Sequence, residues 1–367
     1  MVDPRVEKLA RLLVEYCTAV KPGDKVRLSG ELSALPLLRE TYKYAVLAGG
    51  QVVLQIDDEY CDDILARHGN NEQLSWVSPN ERWTAEESDV RITIRATQNT
   101  RRRSSLDPKR GVISDKAARA LAKTRAERTA AGLHRWVLTQ YPTEAYAQET
   151  DMSLEEFEDF VYKATFADQP DPVARWNAVR DSQQKYVDWL KGRKEMVARG
   201  PNIDMKVRIE DRTFINSDGK RNMPSGEIFT GPVEDSAEGW VRFTYPAIRG
   251  GRQVEGVELR FEGGKVVNAT ARKNQDYLLA QLDSDPGARF LGEFAIGTNY
   301  DIDRFTGNIL FDEKIGGTLH MALGNGYIET GSKNQSAIHW DMICDMREES
   351  EILVDGELLY RNGKFVF

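Results

Sequence analysis

The chain has 367 residues and a formal net charge of −8, with 40% hydrophobic and 29% charged residues. That length suits two domains of a globular protein. The acidic balance offers no electrostatic case for nucleic acid, and no apolar run approaches the ~20 residues that span a bilayer. Three scattered cysteines, Cys17, Cys61 and Cys344, lack metal or redox spacing and fit a reducing cytoplasm. The charged start, Met1 to Glu7, is not that of a secretory signal.

In chain order, Val6, Leu9, Ala10, Leu13, Cys17 and Val20 fall at helical spacing, and Pro22-Gly23 closes that helix. Lys25 to Leu28 reads as a short strand, Leu35 to Ala48 as a helix, and Gln51 to Ile56 as a strand. A short helix near Asp62–His68, a strand at Val90–Ala96, a long helix from about Ser114 to Leu133 and a strand at Trp136–Thr139 follow. The alternation predicts a mostly parallel sheet covered by helices. Neither G-x-G-x-x-G nor G-x-x-x-x-G-K-[ST] occurs, which argues against a nucleotide cofactor. Arg101-Arg102-Arg103 reads as a solvated loop. His68 and His134 are placed on helical stretches as surface or packing residues.

Residues 151 to 199 read as wholly helical, with a capping-box start at Ser153–Glu156 and a second helix opened by Asp171-Pro172. They form a connector that ends at Gly200-Pro201. The expected organisation is therefore an N-terminal α/β domain with its connector over 1–200 and a β-rich C-terminal domain over 201–367. In the latter, Met205, Val207 and Ile209 alternate, Gly263-Gly264 marks a hairpin, and Asp355-Gly356 and Asn362-Gly363 punctuate a closing meander.

Three stretches of this second half set polar groups in apolar frames: Leu291–Gly297 around Glu293, Gly317–Gly324 around His320, and Ile338–Cys344 around His339 and Asp341. Strand alternation puts Ile338, Trp340, Met342 and Cys344 on one side, with His339 and Asp341 on the other. In the same way Leu319, Met321 and Leu323 oppose His320 and Ala322. Each of these residues has a plain structural alternative, a satisfied core histidine, a hydrogen-bonded His-x-Asp pair or a buried salt bridge. Together they form an oxygen and nitrogen donor set without thiolates, suited to Zn²⁺, Co²⁺ or Mn²⁺.

Four motifs add a resemblance. Met223–Thr230, Leu291-Gly292-Glu293, Asp312–His320 and His339-Trp340-Asp341 resemble, in order, those of the thermophilic metallo-aminopeptidases, the aminopeptidase T / aminopeptidase S / PepS group. The resemblance implies that Glu227, Glu293, His320, His339 and Asp341 bind two divalent ions, with Glu293 shared. It also places Tyr327 beside the metals as a donor to a developing oxyanion. Glu313 is the candidate general base, the alternative being an ion pair with Lys314. The Tyr327–His339 segment is shorter than in bacterial members.

The expected activity is removal of N-terminal residues from short peptides with a free N-terminus, in a cytoplasmic homodimer. A two-metal amidase or esterase, and a non-catalytic dimeric protein keeping the fold, are the rivals. No nucleic acid or membrane partner is expected.

Overall fold

The computed structural model describes residues 3–367, with Pro108 described by its backbone alone. The chain divides into two compact units. The first runs through Arg175 and takes back Gly219–Met223; the second comprises Trp176–Asp218 and Pro224–Phe367.

The first unit holds a five-stranded sheet in the spatial order Gln51–Asp57, Lys25–Glu31, Val90–Arg95, Arg135–Gln140 and Asn222–Met223. Every neighbouring pair is parallel, as helix–strand alternation predicted. On one face Val26, Leu28, Val90, Ile92, Ile94 and Val137 are completely buried. The alternate residues Arg27, Ser29, Arg91, Thr93 and Trp136 form a polar face, because successive side chains of a strand point to opposite sides. The long helix spans Pro108–Ala130, so His134 is not helical. It lies just before a strand, 2% exposed, with Nδ1 3.0 Å from the Ser88 carbonyl oxygen. Arg101, Arg102 and Arg103 are paired with Glu149, Glu59 and Asp62 respectively.

The second unit packs two antiparallel sheets on one core. The larger has eight strands, in the order 265–270, 258–262, 238–242, 203–208, 195–200, 351–354, 357–361 and 364–365. The smaller has five, in the order His339–Asp345, Thr318–Gly324, Leu291–Gly297, Glu227–Thr230 and Ile215–Ser217. The helix read for 171–199 stops at Leu190. Gly192, at φ 76°, turns the chain out of the helix, and Glu195–Gly200 then pairs antiparallel with Ile203–Arg208. Val187 and Leu190 of that helix join the core of this unit. Among the described residues no helix is long and apolar enough to cross a membrane.

Candidate metal centre

The five-stranded antiparallel sheet has two unlike faces. Leu291, Phe294, Ile296, Leu319, Met321, Leu323, Trp340, Met342 and Cys344 all point into the core. The opposite face carries the polar residues, and the register brings them together. Ala322 pairs with Glu293 on one side and Asp341 on the other, Gly324 with His339, Ala295 with His320, and Gly297 with Glu227. Small residues thus alternate with the long donors and leave room above the sheet. A bulge at Gly292, where the register shifts between Leu291 and Glu293, brings Glu293 onto this face. A Cβ at Gly292 would lie 2.4 Å from the carbonyl oxygens of Gly324 and Asn325, so the bulge requires glycine.

Three of the five donors are buried: Glu227, Glu293 and His320 are 5%, 4% and 1% exposed. The side chains of His339 and Asp341 are 26% and 11% exposed, so the donor face is open at the His339 end. His320 Nε2 lies 3.3 Å from Glu227 Oε2 and 3.6 Å from Glu293 Oε1. His339 Nε2 lies 3.3 Å from Glu293 Oε2 and 3.4 Å from Asp341 Oδ1. Glu227–Glu293–His320 and Glu293–His339–Asp341 each place three donor atoms within 4.8 Å of one another, and Glu293 belongs to both. A third such group joins Glu313, His320 and Asp341.

Supporting contacts fix the donors. His339 Nδ1 donates to the Asn325 carbonyl oxygen at 2.7 Å, which fixes the ring with Nε2 facing Glu293 and Asp341. Gln183, 2% exposed, donates through Nε2 to the backbone oxygens of Glu227 and Ser217 and holds the Glu227 strand in place. Lys314 is completely buried. Its ammonium pairs with Glu313 and lies 3.2 Å from Glu227 Oε1, so Glu227 turns Oε2 towards His320. A Cβ at Gly297 would meet the Ile315 carbonyl oxygen at 2.2 Å; glycine there lets the Lys314 loop close on the sheet.

Charge coupling is strong. Burial alone would push Glu293 up, yet the contacts to His320 and His339 leave it lowered. For Asp341 burial is likewise outweighed, by the charge of His339, and it falls to about 2. Burial disfavours the imidazolium forms, but Glu293 and Glu227 raise His320 to about 9, and Asp341 and Glu293 raise His339 to about 12. Glu313 is lifted to about 7 by burial, with Lys314 opposing and Glu227 and Asp341 adding to the rise. The Tyr327 hydroxyl is pushed well up by burial and then by Glu293 and Asp341. Its ring stands 5.2 Å from that of His339 and 5.3 Å from that of Phe229.

Among the described residues, four buried atoms of the donor set lack a hydrogen-bond partner: Glu227 Oε2, both ring nitrogens of His320, and Asp341 Oδ1. Orphaned buried polar atoms are rare, and a cluster of them on convergent oxygen and nitrogen donors fits a divalent cation. The sequence pattern defining the family described as thermophilic metalloprotease (M29) matches residues 2–365. The chain belongs to this family. Aminopeptidase 2 of Geobacillus stearothermophilus is 30% identical over 413 aligned positions, covering 100% of this chain and 98% of that protein. Wild-type AmpT from Thermus thermophilus superposes with a TM-score of 0.86 at 24% identity, covering 99% of each chain. At TM-score 0.57 and 13% identity the 2,5-dihydroxypyridine dioxygenase of Pseudomonas putida KT2440 shares the fold alone.

The structure thus brings together all five residues named as ligands from sequence, with Glu313 and Tyr327 beside them. Gln183 and Asn325 escaped sequence reasoning, whereas the ion pair of Glu313 with Lys314, the alternative to a base, is present. Lys314 was readable only as the neighbour of Glu313, and its reach to Glu227 depends on the fold of the loop. Gln183 lies 44 residues from the strand it holds, and no local signal marks it.

Proposed function

We propose that this metalloprotease is an aminopeptidase that removes N-terminal residues from short peptides, at a centre for two divalent ions. The observation that carries the reading is Glu293: one carboxylate, one oxygen towards His320 and the other towards His339, common to both donor groups. Glu227, Glu293 and His320 would hold one ion, and Glu293, His339 and Asp341 the other. When bound, such ions polarise a carbonyl and make water acidic enough to act as nucleophile at neutral pH.

The chain's own residues supply the remainder. Glu313, lifted to about 7, accepts a proton from the attacking water and returns it to the leaving amine nitrogen. Lys314 keeps Glu313 and Glu227 apart in charge and fixes their orientation. Tyr327, whose raised pKa keeps its hydroxyl protonated, donates a hydrogen bond to the oxygen that gains charge as the carbonyl is attacked. A free α-amine would be held by one of the ions or by a nearby acid, which restricts cleavage to the first residue.

The catalytic residues would all belong to the C-terminal, β-rich part, residues 201–367. Three free cysteines, two of them buried, support a cytoplasmic location, and the resemblance of the motifs supports a homodimer. The test is a rate survey on aminoacyl chromogenic substrates and short peptides. Chelation should abolish release of N-terminal residues and Zn²⁺, Co²⁺ or Mn²⁺ should restore it, while an N-acetylated peptide should resist. Full activity after thorough demetallation would overturn the reading, and equal turnover of the acetylated peptide would replace it with a general amidase.

A further inference from the structure

The polar face of the parallel sheet, in the first unit, carries a second concentration of charge that the peptidase reading does not use. Arg27 and Arg91 are register partners on adjoining strands, so their side chains leave the same face side by side. Arg125 comes in from the helix Pro108–Ala130. Its Nη1 is 3.9 Å from Glu81 Oε2, while Glu81 Oε1 is 2.7 Å from Arg27 Nη2. A single carboxylate therefore serves two guanidinium groups, and Arg91 has none.

Among the described residues the Arg91 guanidinium has no hydrogen bond and no ion-pair partner; it stands 5.5 Å from the Trp136 ring. The Nε atoms of Arg27 and Arg91 are both buried without acceptors, and Arg27 is 8% exposed. Buried N–H groups are nearly always paired in folded proteins. Burial, and then repulsion from Arg125 and Arg27, lowers the hold of Arg91 on its proton, to about 10. Three cations share one anion here, and two positive charges are left over.

We propose that this face binds a small oxyanion of the sulfate or phosphate class, held by Arg27, Arg91 and Arg125. A dianion matches the surplus of two charges, whereas a carboxylate would answer only half of it. The planar fork of a guanidinium is built for oxyanion geometry, and the buried, unpaired Nε groups are donors the protein leaves unused. Ser29 Oγ, 3.0 Å from Arg27 Nη1, fixes the inner arginine, and Trp136 supports the outer one.

The full-length, metal-loaded protein tests this by calorimetric melting in sulfate against chloride at matched ionic strength. Sulfate should produce a saturable rise in Tm of roughly 2–4 °C that chloride does not. Arg91→Met should lose that rise. Without sulfate, Arg91→Met should melt no lower than the wild type, because it removes an unpaired charge. Three results would overturn the proposal: no sulfate-specific rise in the wild type, a rise that survives in Arg91→Met, or an Arg91→Met protein that is destabilised without sulfate. Survival in the variant would place the anion on the metal centre instead. Destabilisation would make Arg91 a structural cation.

Discussion

Two sheet faces in this protein hold surplus charge, with opposite sign and opposite means of relief. On the antiparallel sheet, Glu227, Glu293 and Asp341, with Glu313 beside them, surround two histidines and one lysine. On the parallel sheet, three guanidinium groups surround Glu81. The acidic face can answer itself in part, because histidines take up protons until a cation displaces them. The arginine face cannot, since a guanidinium does not give up its proton under physiological conditions. Buried charge is costly unless paired, so each face marks a place for a counter-ion the chain does not encode.

The largest effect should come from breaking the acidic face at a donor. His339→Ala should lower metal content by about one ion per chain and the peptidase rate by more than the roughly 10–100-fold lost when a partner that only orients a ligand is removed. Elemental analysis alongside turnover of an aminoacyl chromogenic substrate checks both.

The next effect is on pH. His320 and His339 sit at about 9 and about 12 without metal, above the ordinary 6.5. Metal binding at neutral pH must expel a proton from each, one histidine per ion, so the apparent affinity for each ion should climb with pH by up to roughly tenfold per unit. The same shifts stabilise the metal-free fold fully below pH 6.5. That stabilisation is lost as pH rises through about 9 and on towards 12. Calorimetry should therefore show the metal-free Tm falling between pH 7 and 10, a slope absent from the loaded protein, whose histidines carry no extra protons.

Lys314→Met sharpens the comparison from inside. It removes the contact that turns Glu227 Oε2 towards His320 and the ion pair that holds Glu313. Metal affinity should weaken by roughly 10–100-fold by calorimetric titration; unchanged affinity would make Lys314 a bystander. Smaller still is Gly292→Ala, which forces a Cβ against two carbonyl oxygens at 2.4 Å. It should cost about 1–3 kcal/mol of stability by denaturant melting, together with some displacement of Glu293.

Much of the acidic face was legible because strand alternation is a local property. Leu319, Met321 and Leu323 against His320, and Trp340 and Met342 against His339 and Asp341, could be sorted from residue order alone. That three of the donors would also be buried could not, since it depends on what the fold lays over the sheet. The strand at Glu195–Gly200 was hidden in a run of helix-favouring charged residues, although Gly192 marked the break. The arginine face was illegible for a different reason. Arg27, Arg91 and Arg125 are far apart in the chain, and each alone looks like an ordinary surface cation. Only the parallel register makes Arg27 and Arg91 neighbours.

On the proposed function, Glu293 belongs to two metal sites at once. Counting ions in purified, fully reloaded protein tests it most directly, comparing the wild type with Glu293→Gln by elemental analysis. Two divalent ions per chain are expected in the wild type and at most one in the variant. One ion in the wild type, or two retained by Glu293→Gln, would contradict it.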